Sequence, residues 1–317
     1  MNTQLKEKIL NSLSRLEELY KIKSDEFRRR SFANALNSLK KIQEIPDTKK
    51  ELLKINKVGK SVADVVIEII KTGKSERLKK LEKELKDIEN LVLIDGISPK
   101  FAYKLIKKYN IKNVKQLKKA YKKGKIELDK TQILGVKYFK DLQKRIPTEE
   151  ISKFDKQLQL IVKDIDPNLI AVIAGSYRRG LKTSGDIDII LTHKNVITDK
   201  DIKIDYIDKV VEKLKEHYKY IDKFSKGKKK FMGLFIIKKY VRHLDIWFAP
   251  YQSYYSLLLH ATGSKNFNIQ TREIAKELGY KINENYIKKG DKKIYLKSEK
   301  EFFDILNIPY LKPNERE

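Results

Sequence analysis

The sequence predicts an α+β protein of several domains, a basic all-helical half followed by an α/β half. Apolar residues recur every three to four positions from Asn2 to about Lys144, whereas short Ile- and Val-rich runs begin near Ile170. Lys and Arg outnumber Asp and Glu by 38 to 19 over residues 1–147, but only by 33 to 24 over the remainder, within a net charge of +28. The second half also holds Gly175-Ser176-Tyr177-Arg178-Arg179-Gly180, followed by Ser184-Gly185-Asp186-Ile187-Asp188.

Leu5, Ile9, Leu13, Leu16 and Leu19 mark a first amphipathic helix. Phe27, Phe32, Leu36 and Leu39 continue the pattern in a second, and further helices fall near 48–55, 60–71, 76–86, 99–109 and 113–122. Two stretches repeat: Leu53-Lys54-Ile55-Asn56-Lys57-Val58-Gly59-Lys60-Ser61-Val62-Ala63 and Leu93-Ile94-Asp95-Gly96-Ile97-Ser98-Pro99-Lys100-Phe101-Ala102. Each has an apolar residue, a turn around Gly and the start of a helix, the pattern of tandem helix-hairpin-helix motifs. Such a turn presents backbone amides to a DNA phosphate without reading bases. The plainer reading is an αα-corner whose Gly supplies positive φ. Two such turns in a basic half favour DNA. The first is imperfect, with Asn56-Lys57 where a Pro-Gly type turn is expected. The change of character near Pro147 marks a domain boundary. Strand-like runs then occupy 169–174, 187–191, 234–237 and 244–248, and a helical, then mixed, segment follows Ser253.

Composition removes several classes. With no Cys, disulfides, thiol catalysis and Cys-ligated zinc are excluded, and a reducing, intracellular setting (nucleus, cytoplasm or viral factory) is expected. No apolar run approaches the roughly 18 residues of a membrane span, so no membrane partner is expected. A surplus of Lys, Ile, Asn and Tyr also suits an AT-rich genome, but codon bias does not explain the asymmetry between halves. That asymmetry points to a polyanion, most simply nucleic acid.

The chemistry lies in the Asp-x-Asp strand. Residues i and i+2 of a strand face the same way, roughly 6–7 Å apart, so Asp186 and Asp188 can converge on divalent cations. Asp245, within Leu244-Asp245-Ile246-Trp247-Phe248, offers a third carboxylate on another strand. Three hard oxygen ligands suit two Mg²⁺ ions, one activating an attacking hydroxyl and the other neutralising phosphates. A lone Asp-x-Asp is usually a solvated strand end. Here the upstream turn, with Ser176, arginines and backbone amides, offers phosphate binding as well, and the pair reads as nucleotidyl transfer.

These residues resemble the palm of family X DNA polymerases, the repair polymerase β type. The resemblance extends in family order through Leu134-Gly135-Val136-Lys137-Tyr138-Phe139, Lys144-Arg145-Ile146-Pro147, Lys230-Phe231-Met232-Gly233, Thr262-Gly263-Ser264 with Asn268, and Ile308-Pro309-Tyr310 with Pro313. It implies a helical lyase-type DNA-binding domain over 1–83 and a fingers-like domain with the second hairpin over 84–147. A nucleotidyltransferase palm with a mixed sheet over 148–252 and an α/β thumb that selects the nucleotide over 253–317 would complete a minimal architecture without an N-terminal protein-interaction domain.

The resemblance also implies roles. Asp186, Asp188 and Asp245 would bind two Mg²⁺, with Mn²⁺ as a substitute, and Asp245 would accept the primer proton. Gly175, Ser176, Arg179 and Gly185 would form the β,γ-phosphate site, with Arg145 on the γ-phosphate. His260, Gly263, Lys265 and Asn268 would line the base and sugar of the incoming dNTP. Arg272 would contact the template side, and Lys230 would contact DNA. Arg28, Arg29, Lys57 and Lys60 would hold a 5′-phosphate in a gap, while Gly59, Gly96, Ile97 and Lys100 complete the hairpin contacts. The backbone carbonyls of Leu53, Ile55, Val58, Val92, Ile94 and Ile97 would bind Na⁺ or K⁺. Arg178 is read instead as a surface ion pair.

Departures from the family pattern sharpen these expectations. Val65 stands where lyase-active members carry a Schiff-base lysine, so lyase activity is expected to be weak or absent, with Lys60 a poorly placed substitute. His260-Ala261 replaces an aromatic pair at the sugar, and Lys265 replaces an acidic or small residue beside the base. Both loosen selection, with low fidelity a secondary expectation. His243 and Trp247 replace arginines flanking Asp245, and the segment between Ile237 and Asp245 is short. The sequence thus points to a monomeric, gap-filling, DNA-directed polymerase of low processivity acting on gapped or nicked duplex. A template-independent nucleotidyltransferase and a non-catalytic DNA-binding scaffold are the alternatives.

Overall fold

The computed structural model describes residues 3–23 and 25–316. Met1, Asn2, Ser24 and Glu317 lie outside the described residues, and with them the first residue of the expected helical run. The chain divides into two compact units, residues 1–137 and 138–317.

The first unit is helical: α1 (Thr3–Ile22), α2 (Glu26–Lys40), α3 (Lys49–Leu52), α4 (Lys60–Thr72), α5 (Glu76–Val92), α6 (Pro99–Tyr109), α7 (Val114–Lys122) and α8 (Lys130–Leu142). The starts are written in the sequence, because Asp25, Thr48, Ser75, Ser98 and Asn113 each accept a backbone N–H at the head of the following helix. α1 packs against α2, α4 and α5 and buries Ile9, Leu13, Leu16 and Leu19. From α2 come Phe32, Ala35, Leu36 and Leu39. Phe27 does not join them. It is 86% exposed, because five residues of α-helix turn it about 140° away from Phe32. The unit boundary falls inside α8, ahead of the Pro147 at which the sequence changes character.

The second unit opens with β1 (Ile146–Pro147), α9 (Thr148–Ile165), β2 (Leu169–Ile173), α10 (Gly175–Arg178), β3 (Thr183–Ser184) and β4 (Ile187–His193). α11 (Tyr206–His217), β5 (Lys219–Lys226), β6 (Lys230–Ile237) and β7 (Tyr240–Phe248) follow. Among the described residues, five strands form a mixed sheet in the order β2-β4-β7-β6-β5, with β4 and β7 parallel and the other pairs antiparallel. Strand alternation sorts the two faces. Ile187, Ile189 and Leu191 of β4, Leu244, Ile246 and Phe248 of β7, and Phe231 and Phe235 of β6 enter one core with Phe154 and Leu158 of α9 and Val210 and Leu214 of α11. Asp188, Asp245 and Lys230 are left for the opposite face. The β6–β7 pairing runs to Ile237 and Tyr240, which makes the connection a two-residue turn and bears out the short hairpin.

The chain ends in α12 (Tyr254–Thr262), α13 (Lys265–Glu277), β8 (Tyr280–Ile282), β9 (Ile287–Lys289), β10 (Lys292–Ile294) and α14 (Glu299–Leu306). Tyr254, Leu257 and Leu258 of α12 pack on Ile190 and Ala174, beside the site face of the sheet. Phe267, Phe302, Phe303 and Leu306 hold α13 and α14 together. This is the expected α+β arrangement of a helical hairpin-bearing region, a palm with a mixed sheet, and a thumb. Among the described residues no helix is long and apolar enough to cross a membrane.

Candidate active site

The parallel pairing of β4 with β7 sets Asp188 directly opposite Asp245. Asp186 stands just before β4 at the rim. The β2–α10 turn closes the other side: Ala174 N donates to Asp188 O at 2.8 Å, and Gly175 follows with φ +58. A Cβ at Gly175 would run into Asp188 Oδ2, so both the backbone angle and the carboxylate require glycine here. Ser176 and Arg179 lie on this short turn, as the phosphate reading expects.

The electrostatics are those of crowded acids. Burial pushes Asp188 up to about 7, and Asp186 and Asp245 add to the shift, while His243 and Lys230 oppose it. Asp186 reaches solvent. The protein packed around it nonetheless desolvates its carboxyl and raises its pKa, Asp245 adds to this, and His243 and Arg145 pull the other way. Asp245 faces two basic side chains, with His243 Nε2 at 2.9 Å from Oδ1 and Lys230 Nζ at 3.8 Å from Oδ2. Lys230 also sits 3.9 Å from the centroid of Trp247.

Among the described residues no three His, Asp or Glu side chains are drawn together as a metal-holding group as they stand. Asp245 is instead turned toward His243 and Lys230. The donor chemistry still fits Mg²⁺: three carboxylates, two of them shifted toward protonation by burial and mutual repulsion, form a group that divalent cations would relieve.

The other expected nucleotide contacts divide into those beside the carboxylates and those held elsewhere. Arg145 donates to Thr183 Oγ1 at 3.1 Å and to Thr183 O at 2.7 Å, and it neighbours Gly185. Arg179 donates to Thr262 O at 2.6 Å, which brings the phosphate turn against the end of α12 and Gly263. Asn268 Nδ2 donates to His260 O at 2.8 Å. Arg272 Nη2 lies 3.3 Å from His260 Nδ1. A guanidinium only donates, so Nδ1 accepts, and burial followed by Arg272 lowers the His260 pKa. Lys265 begins α13 and is exposed.

Arg178 is not the surface ion pair that the sequence suggests. It donates to Thr262 Oγ1 at 2.9 Å and makes a two-point contact with Glu299 at 2.9 and 2.6 Å. Glu299 Oε1, which accepts from Arg178 Nη1, also accepts from Arg316 Nη1 at 2.8 Å, and the Arg316 side chain is fully buried over Phe267 and Phe303. Arg178 thus locks the phosphate turn to α14. Sequence offered no signal for this, because its partners lie 84 and 121 residues away along the chain.

In the first unit the hairpin repeat is literal. Ile55 N donates to Leu52 O and Val58 N to Ile55 O; Ile94 N donates to Leu91 O and Ile97 N to Ile94 O, all at 3.0–3.2 Å. Lys57, at φ +66, takes the place that Gly96 fills at φ +82. The carbonyls of Ile55 and Ile94 are thereby each engaged once, leaving a second lone pair for a cation. The side chains of Val58, Ile94 and Ile97 are buried, so only their backbones can meet a ligand, whereas Leu53 and Val92 are 40% and 37% exposed.

Gly59 brings no side chain to cap α4, while Ser98 accepts from Phe101 N and Pro99 opens α6. The less regular first hairpin therefore has the more open helix start. Lys60 and Lys100 lie exposed in the first turns of α4 and α6. Arg28 pairs with Asp25 at 2.7 Å, and Arg29 with Glu26 and Glu17 at 2.9 and 3.2 Å. Arg30, the most exposed arginine of that run, lines a cleft with Phe27, Asn34 and the first hairpin. Sequence reasoning passed over Arg30 and Asn34 and read Phe27 as part of the apolar face; their spacing along one face of α2 was the available signal. Val65, at the expected lysine position, is 2% exposed.

Three family models match the chain: DNA polymerase beta palm over residues 145–251, DNA polymerase beta thumb over 257–317, and helix-hairpin-helix domain over 4–75. The chain is 29% identical over 241 residues to a DNA polymerase lambda of Arabidopsis thaliana, covering 70% of this chain and 44% of that protein. It is 28% identical over 211 residues to a DNA polymerase lambda of Rattus norvegicus, covering 62% and 37%. Over 242 residues it is 25% identical to a DNA nucleotidylexotransferase of Xenopus laevis, covering 65% and 46%. The chain thus spans less than half the length of these relatives.

Proposed function

This chain belongs to the family X DNA polymerases, nucleotidyltransferases by chemistry, and from that premise we propose that it fills short gaps in DNA under template direction, as a monomer of low processivity serving repair. The observation that carries this reading is the strand pairing of Asp188 with Asp245 beneath the Gly175 turn. Asp186, Asp188 and Asp245 would hold two Mg²⁺, or Mn²⁺. Bound there, the ions would lower the pKa of the primer 3′-hydroxyl and neutralise the triphosphate and leaving pyrophosphate. The primer oxygen bonds to the α-phosphorus as the bond to pyrophosphate breaks, and Asp245 takes the hydroxyl proton. Ser176, Arg179 and Arg145 receive the phosphates, and the positive charge of the two arginines favours the transition state. Asn268 and His260 meet the base and sugar. With a small Ala261 and no aromatic wall, ribonucleotide exclusion is relaxed.

In the helical unit, the open start of α4 with Lys57 and Lys60 holds a 5′-phosphate, and the hairpin carbonyls hold Na⁺ or K⁺. Val65 is apolar and buried and cannot form a Schiff base, so lyase activity is weak or absent. Borohydride trapping on an incised abasic site would reveal a lyase if one exists.

A second reading, addition without a template, is favoured by the likeness to a DNA nucleotidylexotransferase. One assay separates the two: a one-nucleotide gapped duplex, Mg²⁺ and each dNTP in turn. Insertion of the complementary nucleotide alone supports the proposal, and equal addition of all four overturns it. Asp188→Ala should abolish insertion while leaving gap binding intact.

A further inference from the structure

Residues 96–126 hold eleven lysines and no aspartate or glutamate. Within this stretch Lys115, Lys118, Lys119 and Lys122 fall at i, i+3, i+4 and i+7, on a single face of α7. All four are exposed, and none has an ion pair among the described residues. Leu117, the buried residue of the helix, lies on the opposite side. The neighbouring α5 is built differently: its five basic residues are matched by five acidic ones. Like charges at helical spacing repel one another and weaken a helix. α7 is held in spite of them. Asn113 Oδ1 accepts from Gln116 N at 3.0 Å, and Gln116 Oε1 accepts in turn from Lys112 N at 2.7 Å. The stripe is thus a row of uncompensated cations on a capped, ordered helix.

We infer that this lysine face is a phosphate-binding surface for duplex DNA, separate from the two hairpins and blind to sequence. Four ammonium groups along about 10 Å of helix match about three phosphates of one strand. Each is a point charge on a flexible stem, suited to following a backbone and not to reading bases. The stripe contains no aromatic ring, so an unpaired base finds no platform to stack on. A membrane surface would ask for an apolar face beside the charged one, and Leu117 is already buried in the helical unit. What remains is a backbone whose bases are paired and hidden. The inference rests on the nucleic-acid reading of the helical unit but not on nucleotide transfer.

The test compares two variants of the full chain, with no dNTP present. One combines Lys115→Gln, Lys118→Gln, Lys119→Gln and Lys122→Gln, since Gln keeps helix propensity. The other removes the same charge from exposed positions of α5, by Lys79→Gln, Lys80→Gln, Lys83→Gln and Lys86→Gln. Each is titrated with a blunt duplex over a range of salt. The α7 variant should bind roughly tenfold or more weakly at about 0.1 M salt, and its plot of log affinity against log salt should be shallower by about 2 to 3. The α5 variant should stay close to the unaltered chain. Arginine at the same four α7 positions should restore binding, and circular dichroism would confirm that each variant folds. Equal losses in the α7 and α5 variants would overturn the inference, as would duplex binding unchanged in the α7 variant or a loss confined to phosphatidylserine vesicles. A chain that inserted no nucleotide but showed the α7 effect would refute the polymerase reading alone. A chain that filled gaps but showed no α7 effect would refute this inference alone.

Discussion

Under the proposed mechanism Asp188 meets two opposed demands, to lie close to two other acids and to stay ionised for cations. Its raised pKa, about 7 against about 3.9 in an unfolded chain, fixes the sign of a pH effect. The folded state holds this proton more tightly. The stabilisation is therefore complete below about pH 4 and lost as pH rises through about 7, by about 4 kcal/mol at most. Metal-free protein should melt at lower temperature at pH 8 than at pH 5, Asp188→Asn should flatten that slope, and Mg²⁺ at pH 8 should raise the melting temperature. Differential scanning calorimetry would check all three. That Asp188 and Asp245 sit on strands beside the Gly175 turn was legible in sequence, because strand alternation is local and the turn lies next to it. His243 and Lys230 as partners of Asp245 were not, because that contact depends on how β6, β7 and their side chains settle.

At the scale of elements, the two hairpins were readable because a turn and the helix that follows it are set by a dozen consecutive residues. Their difference was readable too, but not its sense. Lys57 holds a left-handed angle that its counterpart Gly96 adopts freely. For an L residue that conformation costs roughly 1–2 kcal/mol. Lys57→Gly should therefore stabilise the protein by about 0.5–1 kcal/mol, part of the strain relief being offset by glycine's looser unfolded chain. The same change should weaken DNA binding and reduce the salt slope by about one phosphate contact. Urea titration and salt-dependent binding measure the two effects separately. β5 escaped the sequence reading for a physical reason. It is an edge strand, largely exposed, with register shifts at Tyr220/Asp222 and Lys223/Ser225, so Lys219–Lys226 shows no clean apolar alternation.

For the molecule as a whole, the order of a helical unit and then an α/β unit follows from periodicity. What binds the palm to the thumb does not, because Arg178, Thr262, Glu299 and Arg316 meet only in the folded chain. Burial works against the Glu299 carboxylate, but Arg178 and Arg316 outweigh it and its pKa is lowered. Removing this acid strands a buried guanidinium. Glu299→Ala should cost about 3–5 kcal/mol, read by urea unfolding, and Arg316→Met in the same chain should recover part of the loss. A fall in kcat beyond the loss of folded protein would show that the phosphate turn had moved.

The parallel pairing of β4 with β7 has a consequence in time. The two strands that carry Asp188 and Asp245 meet only after α11, β5 and β6 have been laid down between them. Each helix of the first unit forms from hydrogen bonds between residues four apart, so its signal needs no such closure. Pairings distant in sequence are slow to form, because loop-closure entropy is lost before the contact rewards it. On dilution from denaturant, the far-ultraviolet helical signal should return first and Mg²⁺-dependent insertion should lag behind it. A chain emerging from the ribosome would likewise display its DNA-gripping hairpins before its catalytic strands had met.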